Sequence, residues 1–284
     1  MPAVSAITRR AALALAGIGL TARAALAQSS LDRIRAAGVI RAGFANEAPF
    51  GFVTPDGQLT GEAPEVARAV LARMGIPRVE GVLTEFGSLI PGLQAGRFDL
   101  IAAGMFITPR RCTQIAFSEP SFGVGQALLV RAGNPLGLRD YGSVAAHPAV
   151  RLAVMAGAAE RDYARAAGVS DSQLLTLPDQ SSLLAAVQAG RAEAAGLSAL
   201  STADMARKGH GVEALPPFGE VAGRSVTGHG GFGFRTEDRE LRERFDTELR
   251  AFLGTPAHQA LVAPFGFGPD QLPRATTAAL CTGR

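Results

Sequence analysis

Between residues 39 and 103, strand-sized apolar runs alternate with helical stretches in the order β-α-β-α-β. That order confines this part of the chain to an open parallel sheet. The runs are 39–45, 79–84 and 98–103. Between them, 63–74 carries Val66, Ala67, Val70 and Leu71 at helical spacing, and 88–95 is a second helical stretch; Gly75 and Gly96 stop the two. Pro55-Asp56-Gly57 marks a turn, which predicts a hairpin-like excursion over 50–60. After an apolar strand at 126–131 and a break at Gly133-Asn134-Pro135, a second alternation begins: strands at 151–155, 174–177 and 192–197, helices at 159–167, 181–189 and 201–207. A strand at 230–235 returns from this block, followed by an amphipathic helix at 237–253 with Leu241, Phe245, Leu249 and Phe252 on one face, and a short helix at 256–262. The chain therefore reads as two α/β blocks, with crossings expected near 128–131 and 228–232.

Ligands of open α/β sheets bind beyond the carboxyl ends of the strands. The run 98–103 ends in Gly104-Met105-Phe106-Ile107-Thr108-Pro109-Arg110-Arg111. Gly104 lets the backbone turn, Thr108 is an N-cap, and Pro109 stands at the first helical position, where its missing N–H costs nothing. Free N–H groups and a guanidinium thus converge on one point, which suits a carboxylate or phosphate. The loops at 46–50 and 84–88 occupy the same end of the first block, and Gly157-Ala158-Ala159 is the equivalent position of the second.

The first 27 residues do not belong to the fold. Arg9-Arg10 precedes an apolar run over 11–20, too short for a membrane anchor, and Ala25-Leu26-Ala27 fits a cleavage site before Gln28. The arginine pair resembles a twin-arginine signal; an ordinary secretory signal with a basic start is the alternative, and either exports the protein. The chain has 28 Lys and Arg against 25 Asp and Glu, and the signal holds three of the arginines and no acid, so the mature chain carries no excess of positive charge. Nothing basic remains to argue for nucleic acid. Cys112 and Cys281 are the two cysteines, and in an oxidising compartment an even count predicts one disulfide rather than two separate thiols.

The stretch from Phe86-Gly87-Ser88-Leu89-Ile90-Pro91-Gly92-Leu93 through Gly104–Arg111 to Phe117-Ser118-Glu119-Pro120 resembles the family-3 solute-binding proteins of ABC importers. The likeness runs from about residue 31 to 267. It is nearest to the ectoine- and hydroxyectoine-binding branch, on Asn46-Glu47-Ala48-Pro49-Phe50-Gly51, Thr60-Gly61-Glu62-Ala63-Pro64-Glu65, Thr84-Glu85-Phe86-Gly87-Ser88 and the tail Pro264-Phe265-Gly266-Phe267. The resemblance implies an α/β, two-lobed periplasmic binding protein of type II, each lobe an open, mainly parallel sheet flanked by helices, joined by a two-strand hinge. The boundaries it implies are a signal peptide over 1–27, lobe 1 over 28–129 and 229–284, and lobe 2 over 130–228. It further implies a monomer in the periplasm that closes on a small zwitterion and hands it to a permease in the inner membrane, without a cofactor.

Ectoine carries a carboxylate and a cyclic amidinium. On this reading Arg111 takes the carboxylate through its fork, with backbone N–H groups at Gly104 and Phe106. Phe50, Phe86 and Phe106 offer flat faces to the cation, and Glu47 accepts from its ring N–H groups. Ala159 supplies a backbone N–H from lobe 2. Amino-acid-binding relatives usually have Ser or Thr where Phe106 stands and an Asp near Ser198, so a primary ammonium is poorly served on the second lobe. A polar amino acid is nevertheless the alternative ligand. A cyclohexadienyl dehydratase-like enzyme, with Glu47 as acid or base, is the third reading; it lacks an evident second proton-handling group. No metal-ligand motif is present, and Gly228-His229-Gly230-Gly231-Phe232-Gly233 runs into a strand, as a return hinge does, rather than opening a helix as a dinucleotide fingerprint must.

Overall fold

The computed structural model describes residues 29–283; the signal-peptide reading falls outside them. The chain opens with α1 (Ser30–Ala37), capped by the Ser29 side chain, and β1 (Val39–Phe44). The hairpin β2 (Phe52–Val53) and β3 (Leu59–Thr60) follows, then α2 (Glu62–Arg73), β4 (Arg78–Leu83), α3 (Leu89–Gln94), β5 (Leu100–Ile101), α4 (Pro109–Cys112) and β6 (Ala116–Phe117). Strands β7 (Phe122–Val124) and β8 (Gln126–Arg131) lead to α5 (Tyr141–Ala145), β9 (Leu152–Met155), α6 (Glu160–Ala166), β10 (Leu174–Leu177), α7 (Gln180–Gln188), β11 (Ala194–Ser198), α8 (Ala199–Lys208) and β12 (Val212–Ala214). A small ribbon of β13 (Glu220–Val221) and β14 (Arg224–Ser225) precedes β15 (Gly228–Gly230), β16 (Gly233–Phe234), α9 (Arg239–Phe252), α10 (Pro256–Val262) and α11 (Thr277–Thr282).

Two five-stranded sheets form the two lobes, in the orders β4-β1-β5-β16-β6 and β10-β9-β11-β8-β12. In each, three parallel strands carry the βαβ units; antiparallel pairs are added by the returning β16 in the first sheet and by β8 in the second. The lobes are joined by β7 and β15, which pair antiparallel from Val124 opposite Gly228 to Phe122 opposite Gly230.

This corrects one expectation. The outgoing crossing is not at 128–131: β8 pairs along its length with β11 and β12, wholly inside the second sheet. An apolar run reads alike whether it bridges two sheets or lies in one, so the run could not mark the crossing. The return strand expected at 230–235 is likewise two pieces, β15 in the hinge and β16 in the first sheet.

The helical spacing read in the sequence buries the faces it predicts. Val66, Ala67, Val70 and Leu71 of α2 meet Leu241, Phe245, Leu249 and Phe252 of α9 in one buried cluster. Each such side chain contributes about 1.5–3 kcal/mol by leaving water. Cys112 and Cys281 are bonded, tying α11 to α4 across a separation of 169 residues. A crosslink that closes so long a loop acts chiefly on the unfolded chain. Replacing both cysteines by serine is expected to cost about 2–4 kcal/mol in a denaturant titration. Reductant should produce the same loss in the wild type and none in the double variant.

Candidate functional site

Glu47, Phe50, Phe86, Gly104, Phe106, Arg111 and Ala159, the residues singled out in the sequence, line one cavity between the lobes. Met155, Ala158 and Glu160 complete it. The space between the lining atoms, open solvent included, is about 260 Å³. A wider groove opens beside Pro49 and Phe265, where Asp204 pairs with both Arg207 and Lys208.

The first lobe builds most of the wall from loops at the carboxyl ends of its strands. After β5, Gly104 adopts a φ of +63°, and a Cβ there would sit 2.5 Å from the Phe50 ring. Only glycine meets both demands. The chain then strides past Phe106, whose backbone bridges to Gly230 of β15, while the Ile107 N–H donates to the His229 carbonyl at 2.8 Å. This loop is therefore fastened directly to a hinge strand. Thr108 caps α4 as its sequence predicts, accepting from the Arg111 N–H at 3.3 Å.

Arg111 is only 4% exposed. Its Nη1 donates to the Phe106 carbonyl at 2.6 Å, and its Nη2 to the Gly157 carbonyl of the second lobe at 2.8 Å. The guanidinium lies 5.4 Å from the Phe86 ring centre, so Phe86 stacks on the arginine as well as facing the cavity. Two carbonyls and one ring thus hold the fork, and its remaining N–H donors are available to an anion. Phe50 is braced by Phe122 and Phe267, with ring centres at 5.0 and 5.6 Å, and Phe106 abuts Phe122 at 6.3 Å. This packed aromatic block places Phe50 and Phe106 in the cavity wall.

Glu47 is 6% exposed, and its Oε1 accepts from the Ser201 hydroxyl of α8 at 2.8 Å. Burial pushes its pKa up to about 8, the charge of Glu160 adds to the shift, and Ser201 and Arg111 oppose it. Two further contacts cross between the lobes. The Gln180 side-chain amide pairs with the Ala48 peptide, accepting from its N–H at 3.0 Å and donating to its carbonyl at 2.8 Å. Gly157 stands so close to Gly87 that a Cβ on it would lie 2.6 Å from the Gly87 Cα. The lobes are closed on one another.

Sequence reasoning missed Glu160. It is the first residue of α6 and 4% exposed, with burial pushing its pKa up to about 7 against its own backbone N–H and Arg111. An acid in a helix's first turn is common for reasons of the helix dipole alone, so nothing in the sequence separated it from a surface residue. The expectation that the second lobe brings only backbone donors is therefore corrected. Ser198 is used structurally: it caps α8, accepting from the Ser201 N–H at 3.1 Å.

The model of the bacterial extracellular solute-binding proteins, family 3, matches residues 40–267. The chain belongs to that family. Among family members, a probable amino-acid ABC transporter periplasmic-binding protein (y4tE) of Sinorhizobium fredii is 37% identical over 281 residues, covering 96% of this chain and 93% of that one. The crystal structure of EhuB in complex with hydroxyectoine superposes with a TM-score of 0.83 at 35% identity, over 90% of this chain and 98% of that one. An ancestral amino-acid-binding protein, described as a precursor of cyclohexadienyl dehydratase, follows with a TM-score of 0.73 at 27% identity, covering 84% of this chain and 99% of that one. The two-lobed fold and hinge of this chain are those of the family's binding proteins.

Proposed function

We propose that this solute-binding protein captures ectoine or hydroxyectoine outside the cytoplasm and delivers it to an ABC permease. One observation carries the reading: a buried arginine and a buried acid line one cavity together with three phenylalanines. The ligand carboxylate lies on the free donors of Arg111 and the backbone near Phe106. The amidinium lies against Phe50 and Phe106, with Glu47 accepting from its N–H groups. The likeness to EhuB, whose structure holds hydroxyectoine, supports this assignment. A periplasmic location is supported by the exported character of the first 27 residues and by the name of the Sinorhizobium relative.

Binding and closure are one event on this reading. The ligand favours the closed state by its differential affinity for it. Movement about β7 and β15 transmits to the ligand loop through the Ile107 and Phe106 backbone contacts.

The test is calorimetric titration of protein stripped of ligand by unfolding and refolding, with ectoine, hydroxyectoine, glutamine, histidine and arginine. Tight binding of the ectoines alone supports the reading; an amino acid bound in their place overturns it. Turnover of prephenate or arogenate would instead favour the enzymatic reading, for which Glu160 now offers the second proton-handling group. Phe106→Ala is expected to weaken ectoine binding by roughly 5- to 30-fold, the loss of about 1–2 kcal/mol of stacking and cation–π attraction. Unchanged affinity would remove the aromatic wall from the account.

A further inference from the structure

We propose that Glu160 is the second lobe's recognition residue for the cation of the ligand, which is held between Glu47 of the first lobe and Glu160 of the second. This rests on the reading of the cavity as a site for a carboxylate-bearing cation. Both acids line the same cavity and both are more than nine-tenths buried. Glu47 comes from the loop after β1, and Glu160 from the start of α6. They belong to opposite lobes, so a cation between them bridges the closure itself. Glu160 forms no ion pair and no side-chain hydrogen bond among the described residues, and burial raises its affinity for a proton. A buried acid without a counter-ion is unfavourable unless a ligand supplies one.

The charges facing the pair agree with this assignment. Arg111 lines the same cavity and acts on both acids, and Arg110, Asp162 and Tyr163 act on the cluster from α4 and α6. The raised affinity of both acids for protons means that the closed, empty cavity retains a proton near neutrality. The pair then carries about one negative charge against one guanidinium, a balance that a zwitterion leaves intact. A cyclic amidinium has N–H groups on both sides of its central carbon and can donate to both acids at once. An anion without a cation would satisfy Arg111 and leave both acids facing an apolar ring.

The experiment compares wild type with Glu160→Gln by calorimetric titration against two ligands. One is ectoine, or whichever carboxylate-bearing cation of the panel the wild type binds. The other is cyclohexanecarboxylate, a ring carboxylate without a cation. The expected result is opposite shifts: the cationic ligand binds roughly 10- to 100-fold more weakly to the variant, and cyclohexanecarboxylate binds no more weakly than to the wild type. Equal weakening of both ligands, or no change in either, overturns the proposal. The ratio is read within one variant, so a general loss of folding cannot imitate it. Wild-type binding of arginine or glutamine in place of ectoine would overturn the ectoine reading while leaving Glu160 open to the same comparison. Absence of binding by every cationic ligand would overturn both.

Discussion

Arg111→Ala is expected to lower ligand affinity by about 150- to 5,000-fold, the largest effect of any single substitution in the cavity. The wild-type guanidinium is fixed before the ligand arrives, by the carbonyls of Phe106 and Gly157 and by the Phe86 ring. Its desolvation and ordering have already been met by folding, so the ligand gains a charge-assisted contact at little further cost. In the alanine variant a carboxylate must enter the same buried space with no counter-ion. Breaking a buried ion pair from one side costs about 3–5 kcal/mol, which sets the expected loss. The Gly157 contact also disappears, and with it one of the polar bonds between the lobes. Arg111→Lys separates the two effects. It keeps the charge but cannot hold two carbonyls and still present a planar fork, so an intermediate loss of about tenfold or more is expected. Calorimetric titration measures both, with thermal unfolding of each empty variant as the control. An alanine variant within threefold of wild type would remove Arg111 from the binding site.

The sequence made this arginine visible because its position depends on local chemistry. A buried strand, Gly104, the Thr108 cap and Pro109 are consecutive, and each has one physical reading. Glu47, Phe50 and Phe86 were accessible on similar grounds, since they follow strands whose apolar runs are plain. What stayed hidden depends on contacts between distant parts of the chain. Glu160 looks like an ordinary first-turn acid until α6 is set against the first lobe. Gln180 gives no sign that its amide will pair with the Ala48 peptide, 132 residues away. Helices α5 and α11, of five and six residues, are too short to display a period. The outgoing crossing was misplaced for a related reason. Gln126–Arg131 is fully apolar after its first residue except for the terminal arginine, and such a run states that a strand is buried without stating in which sheet.

The second large effect concerns Glu62 and stability rather than binding. Glu62 begins α2, its N–H donates to the Pro49 carbonyl at 3.0 Å, and its side chain is buried in the first lobe. Neither carboxylate oxygen has a hydrogen-bond partner among the described residues. Burial pushes its pKa up to about 8, and the nearby Ser121 hydroxyl, which forms no hydrogen bond to it, opposes the shift only weakly. In the unfolded chain a glutamate titrates near ~4.3. Between these values the folded state binds one more proton than the unfolded state, so stability falls as pH rises. The slope approaches about 1.4 kcal/mol per pH unit and flattens above the folded pKa. Glu47 and Glu160 add slopes of the same sign in the empty protein. The half-buried His229 and the buried His258 have lowered pKa values and act oppositely, weakening the fold as pH drops below ~6.5. The window from pH 7 to pH 9 therefore isolates the carboxyl groups. Glu62→Gln keeps the shape of the neutral acid and never ionises. Relative to wild type it is expected to gain up to about 5 kcal/mol at pH 9 and about three-quarters of that at pH 7. Denaturant titrations of ligand-free protein at the two pH values measure both. A variant less stable than wild type by the same amount at each pH would mean that Glu62 is ionised in the folded protein and held by a partner. A gain that grows with pH would instead identify Glu62 as a neutral acid within the first-lobe core, directly behind the loop that carries Glu47 and Phe50.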